Sequence, residues 1–115
     1  MTTVAQARAA LVTAVSAVDA YRAPPQCYVY SNGTDFTGLG GSSVEWSFRV
    51  TCAVGWKADD AKASSALGTL VQSKLSTLQA SPIYRIQSVS GDVVRQIGGA
   101  DHLTADIAVS CKVDI

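Results

Sequence analysis

Residues 44–56 read VEWSFRVTCAVGW and alternate without a break. Val44, Trp46, Phe48, Val50, Cys52, Val54 and Trp56 fall on one parity, and Glu45, Ser47, Arg49, Thr51, Ala53 and Gly55 on the other. A period of two sustained over that length is the pattern of a strand with one face in a core. At about 3.3 Å per residue the stretch spans roughly 43 Å when extended. A compact domain of this chain length has a radius of gyration of about 13 Å, hence a diameter of roughly 35 Å. The strand is longer than its own domain is wide. Either it bends sharply, or one end projects and has its apolar face and pairing edge covered by another copy of the chain.

A second alternation closes the sequence. Leu103, Ala105, Ile107, Val109, Cys111, Val113 and Ile115 share one face, against His102, Thr104, Asp106, Ala108, Ser110, Lys112 and Asp114. Upstream, Gln26 to Ser31 carries Cys27, Tyr28, Val29 and Tyr30, β-prone and apolar on both faces, and reads as a first strand. The Gly-, Ser-, Thr-, Asn- and Asp-rich stretch from Asn32 to Ser43 reads as a long loop between strands. Phe36 and Leu39 are its large apolar residues, which suits docking rather than solvation.

Two helices complete the pattern. Thr2 or Thr3 caps the first, which is expected to run to about Arg22 with Val4, Ala7, Leu11, Ala14, Val15 and Val18 inward, before Pro24 and Pro25 end it. The second follows a turn at Lys57 to Asp60, with Asp59 as its N-cap, and runs to about Ala80 on a stripe of Ala63, Leu67, Leu70, Val71, Leu75 and Leu78. Ser81 and Pro82 close it. Ile83 to Ile97 is extended but interrupted at Ser90, Gly91 and Asp92, as a bulge in one strand or a small hairpin. The expected fold is α+β: one domain over residues 1–115, with an antiparallel sheet of about four strands and two helices packed on one face, in the order α-β-β-α-β-β. Joining the chain ends would make this a circular permutation of the ferredoxin-like order.

Composition excludes some functions. Nine acidic and nine basic residues cancel and no Lys or Arg cluster stands out, so there is no electrostatic footprint for non-specific nucleic-acid or membrane-surface binding. Hydrophobic content of 48% with 16% charge is high for a monomer of this size and fits a chain that hides surface by associating. The Ala-rich start carries Gln6, Arg8 and Asp19 and lacks the pattern of a secretory signal, and no apolar run approaches the ~18 residues of a membrane span. The expectation is a protein made and used in a cytoplasm. Cys27, Cys52 and Cys111 have no metal-type spacing and read as small buried hydrophobes.

No constellation announces catalysis. The single histidine, His102, follows Asp101 at a turn, where the two side chains of an extended pair point to opposite faces; an exposed turn histidine is expected. Asp59 and Asp60 suit helix capping better than a cation, which needs several convergent oxygens. Gly38, Gly40 and Gly41 lie between two strands, without the strand-to-helix setting or the Lys-Ser/Thr of a phosphate loop. Trp46, Phe48 and Trp56 share their register with valines rather than basic residues, so they read as core or subunit packing instead of a base-stacking platform. Glu45 and Arg49 are about 13 Å apart on the opposite face. With Asp106 and Lys112 they make either a solvated face or cross-strand and intersubunit ion pairs.

The proline-ended helix, the Pro24 to Tyr30 strand entry, the Gly-rich loop to Ser43, the Val44 to Trp56 strand and the Ala105 to Ile115 ending resemble, in element order over nearly the whole chain, the tail terminator and tail-completion proteins of long-tailed bacteriophages. That resemblance implies a hexameric ring that caps the tail tube and joins it to the head connector. The ring would have no cofactor and no enzymatic activity, with DNA only as passing cargo. Its partners would be further copies of the chain, the tail tube protein and a head-tail connector or adaptor, in a particle assembled in the bacterial cytoplasm. The expected contact residues are Phe36, Leu39, Val44, Glu45, Trp46 and Arg49, on a hairpin reaching the adjacent subunit. Another neck or tail component, such as a tube subunit or head-side adaptor, is the alternative, followed by a small ferredoxin-like ligand-binding or enzymatic oligomer.

Overall fold

Thr3 starts the first helix, α1 (Val4–Val15), with a reciprocal cap: its hydroxyl accepts from the Gln6 amide, and the Gln6 side chain accepts from the Thr3 amide. The helix ends a full two turns before the expected Arg22. Ser16 takes the left-handed conformation at φ 55°, and the Ser16 and Ala17 amides fold back onto the carbonyls of Thr13 and Val12. Glycine usually fills such a position, because a Cβ there is strained. Serine gives no stop signal in the sequence, which is why the helix reads too long. Past the cap the chain turns so that the Val18 amide donates to the Cys27 carbonyl at 2.9 Å. Ala7, Leu11 and Val15 are buried, while Ala14, expected inward, is exposed.

The computed structural model describes residues 3–18, 23–33, 43–56 and 60–114. The remaining elements are β1 (Gln26–Gly33), β2 (Ser43–Gly55), α2 (Asp60–Ala80), β3 (Arg85–Val89), β4 (Val93–Ile97) and β5 (Ala100–Asp114). The fold is α+β, with two helices and an antiparallel sheet of five strands ordered β1-β2-β5-β3, β4 also pairing with β5. The count exceeds the expected four because the Ser90 to Asp92 interruption divides one extended segment in two. Both parts lie along the same side of β5, β3 against Ile107 to Ser110 and β4 against Ala100 to Thr104. The sheet thus has four lanes filled by five strands. Between β4 and β5 the two residues Gly98 and Gly99 turn the chain with φ of 61° and 82°, the double positive φ that a tight hairpin matched to strand twist requires.

The long alternation is β2, whose thirteen residues all pair with β5 from Ser43↔Asp114 to Gly55↔His102. It does not bend back. The flanking strands stop short of it: β1 covers β2 only from Ser47 to Ala53, and β3 reaches β5 no farther than Ser110. Among the described residues Ser43 to Trp46 and Cys111 to Asp114 therefore extend as a two-stranded ribbon. The molecule measures 51 × 25 × 24 Å with a radius of gyration of 14.9 Å, longer than a compact chain of its size.

One parity of each long strand faces the helices. Phe48, Val50, Cys52 and Val54 of β2 and Leu103 to Val113 of β5 meet Leu11 and Val15 of α1 and Ala63, Leu67 and Leu78 of α2 in one buried cluster. Tyr84, buried just before β3, ties the first helix down by donating its hydroxyl to the Ala7 carbonyl at 3.1 Å. Arg8 of α1 donates to the Val29 carbonyl at 3.1 Å. The Cys27 and Val29 carbonyls, which point away from β2, are thus both satisfied from the α1 region. Because Ser16 holds a conformation that costs a side-chain-bearing residue about 1 kcal/mol, Ser16→Gly is expected to raise stability by about that amount, read as a higher urea midpoint at unchanged m-value.

Candidate functional site

The sheet face turned away from the helices is the part of the surface with organised chemistry. It carries Tyr28 and Tyr30 on β1, Glu45 to Ala53 on β2, and His102 to Lys112 on β5, each at alternate positions. Short residues in its middle are buried by longer ones around them. Thr51, Thr104, Ser110 and His102 are all nearly inaccessible although no helix covers them. His102 was expected to be an exposed turn residue; it is instead inside β5, its Nδ1 2.9 Å from the Ala100 carbonyl oxygen. Arg95, which starts directly opposite His102 and ends on Asp106, lays its side chain across the intervening Thr104.

Asp106 is the hub of this face. Arg95 donates to both carboxylate oxygens at 2.9 Å, a bidentate pair, and Thr51 adds a third bond to Oδ1 at 2.8 Å. The backbone of Asp106 is bonded as well, its amide to the Ser90 hydroxyl and its carbonyl to the Ser90 amide. Ser90 thereby anchors the strand interruption. Burial opposes ionisation of Asp106, but the Arg95 and Thr51 hydrogen bonds and the nearby Arg95 and Arg49 charges outweigh it, holding the carboxyl below the usual range.

The expected contact residues separate into three groups. Glu45 lies on the polar face near the ribbon end, accepts from the Ser110 hydroxyl at 3.3 Å and pairs with Arg85 at 3.6 Å, with both side chains well exposed. Arg49 stacks its guanidinium 4.5 Å from the ring centroid of Tyr30, its cross-strand neighbour. Val44 and Trp46 point to the helix side and are half-buried against the core, Trp46 donating its indole N–H to the Ser31 hydroxyl at 2.7 Å. Phe36 and Leu39 lie outside the described residues. Among the described residues ion pairs run Glu45–Arg85 and Asp106–Arg95, so β3 and β4 supply basic partners to these two carboxylates. Sequence reading had no means to assign Arg95, because its role depends on the position of β4 beside β5.

The two edges of the sheet differ. β1 has its outward carbonyls at Cys27 and Val29 bonded. β3 and β4 pair only with β5 among the described residues, and they carry Val89, Val93 and Val94, each more than two-fifths exposed, with the more exposed Ile83 just before them. Val93 sits opposite Thr104 on the polar face and Val94 opposite Leu103 on the helix face, so this edge is apolar on both sides.

Two of the hollows beside the sheet adjoin residues described above. One, of about 460 Å³, is apolar and lined by Pro24, Pro25, Val54, Gly55, Ala63 and Ala66, with Lys62 at its rim. The other, of about 490 Å³, lies beside the ribbon between Glu45, Arg85, Ser110 and Lys112. Among the described residues no three of His, Cys, Asp and Glu converge as metal ligands, and no helix is long and apolar enough to cross a membrane. Comparison with protein-family models and with curated proteins gives no match for the chain.

The Asp106 cluster predicts an acid-side dependence. An unfolded aspartate protonates near pH ~4, and the folded group does so lower. Its contribution is therefore complete above the unfolded value and is lost as pH falls through the folded one. Asp106→Asn is expected to flatten that acid limb in urea titrations taken at successive pH values. At pH 7 it should cost about 1–2 kcal/mol, the lower part of the range for charged hydrogen bonds because the Arg95 side chain is 37% exposed.

Proposed function

We propose that this protein is a structural subunit of a long-tailed phage particle, a tail terminator whose copies close into a hexameric ring on the end of the tail tube and present the opposite surface to the head connector. The observation that carries the reading is the β2–β5 ribbon, which runs past its own flanking strands at Ser47 and Ser110. A ring is a closed set of heterologous contacts, each needing two different patches on one subunit. The ribbon end with Val44, Glu45 and Trp46 supplies the first. The apolar edge at Val89, Val93 and Val94 supplies the second, an edge to which a neighbour adds main-chain and side-chain contacts.

Phe36 and Leu39, in the segment joining β1 to β2, belong to the same proposed contact. Arg49 stands farther back, held on Tyr30, and contributes to the polar face rather than to the ribbon end. The function is assembly. It involves no cofactor and no reaction, and DNA meets the ring only in transit.

Electron microscopy of the protein mixed with tail tubes tests this directly. Rings on tube ends are the expected outcome. Val94→Lys, at a position 45% exposed, should change folding stability by no more than about 0.5 kcal/mol yet abolish ring formation on the tube. A monomer both in isolation and in the assembled particle would refute the reading, and tubes formed by the concentrated protein alone would make it a tube subunit instead.

A further inference from the structure

Cys27 and Cys52 stand directly opposite one another on β1 and β2, with their sulfurs 3.6 Å apart. Cross-strand pairs in antiparallel sheets are of two kinds, and the backbone identifies this one. The Cys27 carbonyl is bonded to the Val18 amide, outside the sheet, so it does not point at β2. The next residue of the same parity, Val29, repeats this with Arg8. Cys27 and Cys52 therefore form a non-hydrogen-bonded pair, the kind in which the Cα atoms approach to about 4.5 Å and side chains lie closest. That separation lies inside the disulfide window of about 4.4–6.8 Å. Side-chain rotation is enough to join the sulfurs.

We propose that Cys27 and Cys52 are an oxidisable pair that closes to a cross-strand disulfide and staples β1 to β2. The step is a two-electron oxidation by a peroxide. A Cys27 or Cys52 thiolate attacks the peroxide O–O bond and becomes a sulfenic acid, releasing hydroxide. The facing thiol then displaces that oxygen as water, and the S–S bond forms. Two thiols lose two protons and two electrons in all, and hydrogen peroxide leaves as two waters. The contact between the two thiols and their burial hold the Cys52 thiol well above its ordinary value, which leaves Cys27 as the sulfur that ionises first. Both thiols are buried in the helix-side core, Cys27 on β1 and Cys52 on β2.

The third thiol takes no part. Cys111 is paired with Trp46 on β2, six positions along the strand from Cys52, a distance of about 20 Å at about 3.3 Å per residue. Burial raises its pKa as well. The pairing is therefore fixed by the register.

The test uses the full chain, reduced and then exposed to hydrogen peroxide without denaturant. Thiols counted afterwards in denaturant should fall from three to one, the intact mass should fall by two hydrogens, and peptide mapping should join residues 27 and 52. The midpoint of thermal unfolding should rise by on the order of 10 °C and return on reduction. Cys111→Ser should still lose two thiols, whereas Cys27→Ser and Cys52→Ser should show no loss of two hydrogens. Should either of those two fail to fold, the Cys111→Ser result and the map decide. Three thiols remaining under peroxide that fully oxidises a small dithiol, a linkage through Cys111, or a disulfide between chains would each overturn the proposal.

Discussion

Everything in this molecule is attached to the pairing of β2 with β5. Thirteen residues of one strand lie against thirteen of the other without a bulge, and this continuous ladder sets both faces at once, because a slip of one residue would carry every side chain to the opposite side. Phe48, Val50 and Cys52 then meet Val109, Ile107 and Ala105 beneath the helices, while Arg49, Thr51 and Ala53 meet Ala108, Asp106 and Thr104 on the far side. The helix-side core runs along this ladder from Leu103 to Val113. At its Ser43–Asp114 end, among the described residues, neither β1 nor β3 pairs alongside.

The two faces are held by different physics. On the helix side the cohesion is apolar burial, with Leu11, Phe48, Leu67, Leu78 and Ile107 almost entirely withdrawn from solvent. On the other side it comes from a connected set of hydrogen bonds in which Arg95, Asp106, Thr51 and Ser90 satisfy one another. Such a network orders the sheet face turned away from the two helices and gives it fixed chemistry. The same residues hold the interrupted segment β3–β4 to β5, so the polar face and the apolar edge are coupled in place.

Much of this was legible in residue order, and the failures have identifiable causes. Strands β2 and β5 declare themselves because one parity of each turns to the helix-side core, which leaves a strict alternation. The helix ending at Ala80 is marked by Ser81 and Pro82. The early end of α1 is not, because Ser16 occupies a left-handed cap that residue type alone does not suggest. The burial of His102 inside β5, opposite Arg95 of β4, is a tertiary fact that residue order does not carry. The alternation of β2 puts Val44 and Trp46 on one face and Glu45 and Arg49 on the other, but the partners of Glu45 and Asp106 come from Arg85 and Arg95, whose neighbourhood is tertiary.

The bonds from Val18 and Arg8 to the Cys27 and Val29 carbonyls have a consequence for growth. Indefinite edge-to-edge stacking, as in a fibril, requires that every added unit expose a fresh pairing edge equivalent to the one it occupied. Here the Cys27 and Val29 acceptors of one border are taken by its own chain, which makes β1 a poor template for a further strand. Growth by repeated pairing onto that border is disfavoured, while contacts between the ribbon end and the β3–β4 edge, which are unlike surfaces, stay open.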